Sequence, residues 1–287
     1  MKKFRIKSFC KINLTLKVFK RFKTNYHNIE SLITFCNLYD VITVRKIKGL
    51  SDKIKFSGKF KNKINEKSNT ITEVLHLLRE RNFFKDQAFK IDIQKNIPHG
   101  SGLGGGSSNA ASLLNFFNSK MDLKINKTLL NKIARQIGFD VPINLEKKNT
   151  LLTNKEGKIL RLNNKFRLNI LIVYPNIICS TRKIFTRNKK FTLSKSQSNY
   201  YTQNKKKLIN FLKKERNDLE EIVVKFYPKV GKIIDFIRLQ NNCYFSRITG
   251  SGSACIGIFS NQKSAVSAKK LIRSKFPNHW CFVSKTI

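Results

Sequence analysis

The sequence predicts an α+β protein with two domains, and three observations support that prediction. Segments with the two-residue periodicity of strands alternate with segments of helical spacing along the whole chain. The pattern restarts after residue 155, so we assign one domain to residues 1–155 and a second to residues 156–287. The length of 287 residues is sufficient for two domains of ordinary size.

The first element is expected to be a strand at residues 4–18. Apolar residues such as Ile12 and Leu14 share one parity there, which is typical of a strand with a buried face. Lys11 and Asn13 have the other parity. Their side chains should therefore project from the same face, about 7 Å apart.

Seven further segments predict strands because they are short apolar runs bounded by turn-forming or polar residues. In chain order they are residues 32–38, 41–47, 88–94, 168–173, 244–249, 254–259 and 280–284. The first two flank Tyr39-Asp40 and predict either separate strands or a strand pair. Residues 53–67 are polar and basic, which predicts an exposed excursion.

Helices are predicted where apolar residues recur at spacings of three and four. These segments are residues 70–81, 107–117, 129–137, 219–226, 230–239 and 263–276. Gly138 follows the third of them at the position where a helix cap belongs. Residues 187–207 are rich in Lys, Ser and Asn, and they predict a loop or a frayed helix end.

The charge of the chain is strongly positive, with 58 Lys+Arg against 17 Asp+Glu and a net charge of +41. A dedicated nucleic-acid surface usually concentrates such charge on one patch or tail. Here the lysines are spread along the whole chain, which favours a solvated basic surface and no specific nucleic acid. The charge still favours anionic ligands such as nucleotides, and nucleic-acid binding is retained as an alternative.

Several classes of protein are disfavoured by composition. No stretch approaches the roughly 20 apolar residues that cross a bilayer, and no apolar segment of a secretory signal follows the first lysines. The six cysteines are scattered without a CxxC pair, and the four histidines are too few for a Cys/His metal cluster. Six reduced thiols are therefore expected, and they point to the cytoplasm.

The most informative segment is a glycine-rich loop between a predicted strand and a predicted helix. Its eleven residues are Pro98, His99, Gly100, Ser101, Gly102, Leu103, Gly104, Gly105, Gly106, Ser107 and Ser108. Glycines let the backbone approach a ligand closely, and the start of the following helix supplies unpaired N–H groups. The loop lacks the Lys-Ser/Thr of a Walker sequence. It predicts a phosphate site of another kind.

Two other places carry candidate functional side chains. Asp140 stands between Phe139 and Val141, so we expect a partly buried carboxylate, although a turn aspartate is an equal alternative from this position alone. Tyr26 and His27 form a polar aromatic pair in a predicted loop. On local grounds alone, a surface tyrosine beside an unused histidine is the simpler interpretation of that pair.

Five motifs occur in one order over nearly the whole chain: KINL at 11–14, YH at 26–27, PHGSGLGGGSSNAAS at 98–112, GFDVP at 138–142 and TGSGSACIGIF at 249–259. This set resembles the GHMP superfamily of small-molecule kinases. GLGGGSSN and the YH pair are most similar to the members that act on a cytidine-diphosphate derivative of methylerythritol in non-mevalonate isoprenoid biosynthesis.

The resemblance implies a GHMP kinase fold, with an N-terminal α+β nucleotide-binding domain and a C-terminal ferredoxin-like domain. It implies ATP and Mg²⁺ as cofactors, with residues 98–108 on the ATP phosphates. It implies that Asp140 is the catalytic base for the substrate's tertiary hydroxyl, with Lys11 beside it. The implied substrate-binding residues are Asn13, Tyr26, His27, Thr181, Phe185, Gly250, Ser251 and Gly252.

The sequence departs from the family pattern at two of these places. Asn25 replaces the glycine that usually precedes the YH pair, and residues 179–182 lack the prolines that are frequent there. Either Ser107 or Ser108 could be the magnesium ligand, and the sequence does not decide between them. A kinase of the same superfamily for homoserine or a mevalonate-type alcohol is the alternative within enzymes, and the oligomeric state is open.

Overall fold

The computed structural model of the chain describes residues 2–21, 27–49, 51–62, 64–84, 86–153, 157–193 and 204–287. Its strands are β1 (Lys3–Asn13), β2 (Lys17–Arg21), β3 (His27–Ile47), β4 (Lys53–Ser57), β5 (Ala88–Gln94), β6 (Thr150–Leu152), β7 (Ile159–Arg161), β8 (Asn169–Tyr174), β9 (Cys243–Ile248), β10 (Cys255–Phe259) and β11 (Trp280–Lys285). Its helices are α1 (Thr70–Arg79), α2 (Gly105–Lys120), α3 (Lys127–Ile137), α4 (Val141–Asn144), α5 (Thr181–Thr186), α6 (Lys205–Lys214), α7 (Glu220–Phe226), α8 (Pro228–Arg238) and α9 (Gln262–Lys275).

The chain forms two compact units. The first consists of Met1–Cys10, Leu38–His99 and Gly104–Lys147. The second consists of Lys11–Asn37, Gly100–Leu103 and Lys148–Ile287. These units interleave along the chain, and the division of the sequence at residue 155 stays a prediction.

The first unit is built on strand β5, which lies between β3 and β4. The second half of β3 pairs antiparallel with β5, from Val41 opposite Gln94 to Ile47 opposite Ala88. Strand β4 pairs with β5 in the parallel direction. Helices α1 and α2 pack their apolar faces into one core with these strands, and α3 adds its buried Ile133. This arrangement fixes the end of β5, from which the glycine-rich loop leaves.

Two sequence-based expectations about β3 and β4 are wrong. The basic excursion predicted at residues 53–67 begins as strand β4, because its first five residues alternate lysines with Ile54 and Phe56. Residues 32–38 and 41–47 belong to one uninterrupted strand, β3. Asp40 at the junction does not form a turn, because its fully buried carboxylate pairs with Lys95.

The second unit contains a four-stranded antiparallel sheet in the order β11-β8-β10-β9. The chain passes from β8 through helices ending with α8 to β9, turns into β10, and returns through α9 to β11. This is the β-α-β-β-α-β arrangement of ferredoxin-like domains. The predicted ferredoxin-like fold of the C-terminal part is therefore confirmed, and the α+β class with it.

The strand that is predicted to be continuous over residues 4–18 is interrupted. β1 ends at Asn13, and pairing resumes in β2 with Lys17 opposite Glu30 of β3. At the interruption, the hydroxyl of Thr15 accepts a hydrogen bond from the Leu32 N–H over 2.9 Å. The side chain thus replaces a ladder hydrogen bond, and periodicity does not reveal that exchange.

The cysteines agree with the expectation of reduced thiols. None of the six is joined to another in a disulfide, and five of them are buried. Burial raises the pKa of the Cys179 and Cys243 thiols to about 11, so both remain protonated at neutral pH. These thiols act as small apolar core residues.

Candidate functional site

The glycine-rich loop connects β5 to α2, as the sequence predicts. Gly100, Gly102 and Gly104 have φ values of +63°, +83° and +68°, a backbone region that side chains with a Cβ rarely enter. Helix α2 begins at Gly105, two residues earlier than predicted, and no side chain caps its first turn. The 16-residue helix therefore presents N–H groups without a side-chain cap, which favour an anion.

In the first unit, the start of α2 is bound to two neighbouring residues of β1, Ser8 and Phe9. The Ser108 hydroxyl donates to the Phe9 carbonyl oxygen over 2.5 Å and accepts from the Ser8 hydroxyl over 2.9 Å. It is buried, whereas Ser107 is partly exposed. Ser107 and Ser108 are the two alternative magnesium ligands. The Ser108 hydroxyl is thus already used in hydrogen bonds within the protein.

A buried ion pair lies close to the same helix start. Lys95 pairs with Asp40, and the Asp40 carboxylate also accepts hydrogen bonds from the N–H groups of Asn96 and Ile97 over 2.7 and 2.8 Å. A methyl group on Gly105 would lie 3.4 Å from the Lys95 ammonium nitrogen. The ion pair thus fixes the exit of β5 and places a cation beside the first turn of α2.

His99 is the titratable residue inside the loop. Burial lowers the pKa of its imidazole below the ordinary value, and the nearby Lys95 charge lowers it further. The imidazole is therefore neutral at pH 7. It is available to the loop as a hydrogen-bonding ring and does not add positive charge.

In the second unit, the middle of the loop packs against the turn at residues 249–252. A methyl group on Gly102 would lie 2.1 Å from the Thr249 carbonyl oxygen, a separation that no side chain allows. The Ala254 N–H donates to the Ser101 carbonyl oxygen over 3.0 Å. Two glycine motifs that are nearly 150 positions apart in the sequence thus form one packed structure.

Lys11 and Asn13 project from the same face of β1, and this prediction is confirmed. The Lys11 ammonium donates to the Asn13 amide oxygen over 2.5 Å, and the Asn13 amide donates to the Ser31 hydroxyl over 2.7 Å. Each residue is 4% exposed, so this face is buried, whereas an ordinary strand lysine would be solvated. The Asn13 N–H donates to the Thr249 hydroxyl over 2.8 Å, which ties this face to the turn.

The second unit also brings together the predicted aromatic and hydroxyl residues. The rings of His27 and Phe185 are 5.1 Å apart between centroids, inclined by 45°. Phe185 lies on α5, whose N-terminus is capped by Ser180. The hydroxyls of Thr181 and Ser251 are 2.8 Å apart. Tyr26, which is predicted to pair with His27, lies outside the described residues.

Asp140 belongs to the first unit and stands at the N-cap position of the short helix α4. The backbone carbonyl of Asp140 accepts a hydrogen bond from the Asn144 side chain over 2.6 Å, and the carboxylate does not cap the helix. The residue is partly buried, as predicted, whereas the adjacent Phe139 is 70% exposed. Gly138 ends α3, and its N–H donates to the Ala134 carbonyl oxygen over 3.2 Å.

Sequence reasoning missed the residues that support the turn at 249–252. Asn217 and Glu220 lie at the start of α7 and bind the end of β9, where Glu220 accepts the Ile248 N–H over 2.8 Å. The only local signal is an asparagine before a helical segment, which predicts no more than a helix cap. Contacts that span about 30 residues of sequence have no local signature.

The burial of Glu220 leads to a testable pH dependence. Burial is the largest effect on this carboxyl group and raises its pKa, while Arg247 partly opposes the rise. A raised folded-state pKa means that stability is complete below about pH 4.5 and is lost as the pH rises through the folded value. Glu220→Gln keeps an acceptor for Ile248 without the charge. The variant should be more stable than wild type at pH 7, with a difference that shrinks toward pH 4.5.

Urea unfolding between pH 4.5 and 8 measures this difference, and Glu221→Gln is the matched control. Glu221 is exposed, and its pKa is lowered by the hydrogen bond from Lys190, so its linkage to stability has the opposite sign. A Glu220→Gln variant that is less stable than wild type at neutral pH would show that the ionised carboxylate is favourable at this position.

The described residues also bear on membranes and metals. In the described parts of the chain, no helix has the length and apolar character required to cross a membrane. The same residues contain no group of three or more His, Cys, Asp or Glu side chains that could hold a metal ion.

Comparisons with known proteins give the family. Residues 69–146 match the GHMP kinases N terminal domain, and residues 203–278 match the GHMP kinases C terminal domain. The chain is 40% identical to the 4-diphosphocytidyl-2-C-methyl-D-erythritol kinase of Pelagibacter ubique (strain HTCC1062), and the alignment covers 100% of both chains. It is 32% identical to the kinase of the same name from Wolbachia pipientis wMel, over 98% of this chain and 97% of the relative.

Solved structures agree on the fold. A crystal structure of 4-(cytidine 5'-diphospho)-2C-methyl-D-erythritol kinase matches with a TM-score of 0.76 at 21% identity, covering 98% of this chain and 99% of the other. The homoserine kinase of Cytophaga hutchinsonii ATCC 33406 also matches with a TM-score of 0.76, at 14% identity, covering 100% and 95%. The fold alone therefore does not distinguish these two kinases. The chain belongs to the GHMP kinases, and within them to the family of 4-diphosphocytidyl-2-C-methyl-D-erythritol kinases.

Proposed function

We propose that the protein transfers the γ-phosphoryl group of ATP to the 2-hydroxyl of 4-diphosphocytidyl-2-C-methyl-D-erythritol, giving the 2-phosphate and ADP in isopentenyl diphosphate biosynthesis. The observation that carries the proposal is the 40% identity, over the full length, with a kinase of that name. Six cysteines without a disulfide support a reducing cytoplasm as its location. The partner is a small molecule.

The ATP site is proposed at residues 98–108. The left-handed glycines and the N–H groups at the start of α2 support it, because phosphoryl transfer depends mainly on positioning and on neutralising phosphate charge. Mg²⁺ would supply further positive charge to the phosphates. It commonly binds through substrate phosphates and few protein oxygens, which fits the absence of an acidic cluster in the described residues. Ser107 is the proposed hydroxyl ligand, because Ser108 already donates to Phe9.

Asp140 is proposed as the base that accepts the proton of the substrate hydroxyl. Its place in the GFDVP motif and its partly buried position at the start of α4 support this role. Lys11 is proposed to supply positive charge to the same reaction. The burial of Lys11 supports this role, because a cation taken out of water acts strongly on nearby anions.

The remaining substrate contacts concern the cytidine and the polyol. Phe185 is proposed to stack on the cytosine, with Tyr26 on the other face, and His27 to hydrogen-bond the edge of the base. The close approach of the His27 and Phe185 rings supports a shared aromatic site. Asn13, Thr181 and residues 250–252 are proposed to bind the rest of the substrate. An aliphatic alcohol such as homoserine would use none of the aromatic groups.

The experiment measures ADP release with Mg-ATP and three acceptors, namely the cytidine-diphosphate substrate, homoserine and mevalonate. Only the first should be turned over, and cytidine monophosphate should compete with it. Turnover of homoserine or mevalonate, without competition by cytidine monophosphate, would assign the protein to another GHMP activity. Binding of RNA with a steep salt dependence and no turnover of any acceptor would favour the nucleic-acid alternative.

A further inference from the structure

Asn217 is a buried asparagine whose hydrogen bonds converge on the strand end that precedes the glycine turn. It is 4% exposed. Its amide donates to the Gly250 carbonyl oxygen over 2.8 Å and to the Ile248 carbonyl oxygen over 3.3 Å. Its own side-chain oxygen accepts the Leu219 N–H over 3.0 Å. One side chain thus satisfies two carbonyls of the turn region and one N–H at the start of α7.

The turn that Asn217 holds packs closely against Gly102 and Asn13. A methyl group on Gly250 would lie 2.9 Å from the Gly102 carbonyl oxygen and 3.3 Å from the Asn13 side-chain oxygen. Gly102 in turn lies against Thr249. A shift of the turn toward these residues therefore displaces Gly102 or Asn13 as well.

Asn217 is also tied to the strand segment that follows Asn13. Leu16 and Asn217 form an isolated parallel bridge. In this bridge the Leu16 N–H donates to the Arg216 carbonyl oxygen over 3.1 Å, and the Asp218 N–H donates to the Leu16 carbonyl oxygen over 2.8 Å. The same residue is thus anchored to the strand segment and to the turn.

We propose that Asn217 is a positioning residue of the kinase reaction. It fixes the turn at residues 249–252, and through the turn it sets the places of Gly102 in the ATP loop and of Asn13 on the substrate side. This inference rests on the proposed function of those two segments. Asn217 is not proposed to touch either substrate.

Three variants test the role. Asn217→Ala removes all three hydrogen bonds. Asn217→Asp keeps the acceptor for Leu219, but when ionised it turns a carboxylate toward two carbonyl oxygens. Asn261→Ala is the matched control, because Asn261 caps α9 by accepting the Ser264 N–H over 2.9 Å and lies outside the turn. The control carries the cost of a lost asparagine cap without a change at the turn.

Two measurements are made on the full chain, namely steady-state ADP release and the affinity for a non-hydrolysable ATP analogue by calorimetry. Asn217→Ala should lose about tenfold or more in kcat/KM, since small misplacements of reacting groups are costly, and should bind the analogue more weakly. Asn261→Ala should stay within about twofold of wild type in both measurements. The deficit of Asn217→Asp relative to wild type should shrink as the pH falls from 8 to 6, because a protonated carboxyl donates to Gly250 again.

The proposal is wrong if Asn217→Ala matches Asn261→Ala in both measurements. An Asn217→Asp variant that is as active as wild type from pH 6 to pH 8 also contradicts it. If Asn217→Ala does not fold, the pH series of Asn217→Asp decides the question. A wild-type protein that binds the analogue but phosphorylates none of the acceptors would refute the proposed function, and the calorimetric comparison would still test Asn217.

Discussion

Replacing Asp140 with asparagine should abolish most of the phosphoryl transfer while leaving the protein folded and able to bind ATP. A positioned general base typically contributes about 10²- to 10⁴-fold, so kcat should fall within that range. The KM for ATP should change by less than about twofold, because the ATP loop is untouched. The substitution should not cost a helix cap, since the carboxylate does not cap α4.

The measurement is steady-state ADP release together with urea unfolding of the variant. Asp122→Asn is the control, because Asp122 is an exposed carboxylate of the same unit with only a loose pairing to Lys124 over 3.8 Å. Wild-type turnover in Asp140→Asn would remove this residue from the chemistry. Equal losses in the two variants would point to a general effect of charge.

Gly102→Ala should have the second large effect, on ATP affinity. The new methyl group would lie 2.1 Å from the Thr249 carbonyl oxygen, so the loop and the turn must move apart by about 1 Å or more. Displacement of this size in a preorganised site costs on the order of 10²-fold. We therefore expect the dissociation constant of an ATP analogue to rise by about that factor, measured by calorimetry.

Gly157→Ala separates the clash from backbone strain. Gly157 has a similar φ of +65°, but nothing lies within 4 Å of the added methyl group. Both variants therefore carry the cost of a left-handed alanine, about 1 kcal/mol, and only Gly102→Ala carries the clash. If the two variants bind the analogue equally well, the packing of Gly102 on Thr249 does not determine nucleotide affinity.

The periodic elements of the fold were predictable because each is a local property of the chain. The strand at 88–94 matches β5 at both ends, and the helix predicted at 129–137 ends where α3 ends. The errors fall where a distant side chain decides the backbone conformation. Strand β3 runs through Asp40 without a turn because Lys95 and two backbone N–H groups bind the Asp40 carboxylate. These partners lie more than 50 residues away in the sequence.

The candidate site was predictable in part for the same reason. The glycine loop has a composition that predicts its conformation, and the alternation of β1 predicts that Lys11 and Asn13 share a face. The contacts of that buried face were not predictable. Asn13 binds Ser31 and Thr249, which lie 18 and 236 positions further along the chain. Asn217 was missed because its amide binds backbone carbonyl oxygens. Every residue has such an oxygen, so the sequence does not indicate which one a side chain binds.

The most direct test of the account is the phosphorus NMR spectrum of the product formed from Mg-ATP and the cytidine-diphosphate substrate. Carbon 2 of the methylerythritol carries no hydrogen, so a phosphate there has no proton on the carbon that bears its oxygen. We predict a new phosphomonoester signal without splitting from such a proton, beside the intact diphosphate bridge. A new signal split by a carbinol proton, or the absence of any new monoester, would contradict phosphoryl transfer to the tertiary 2-hydroxyl.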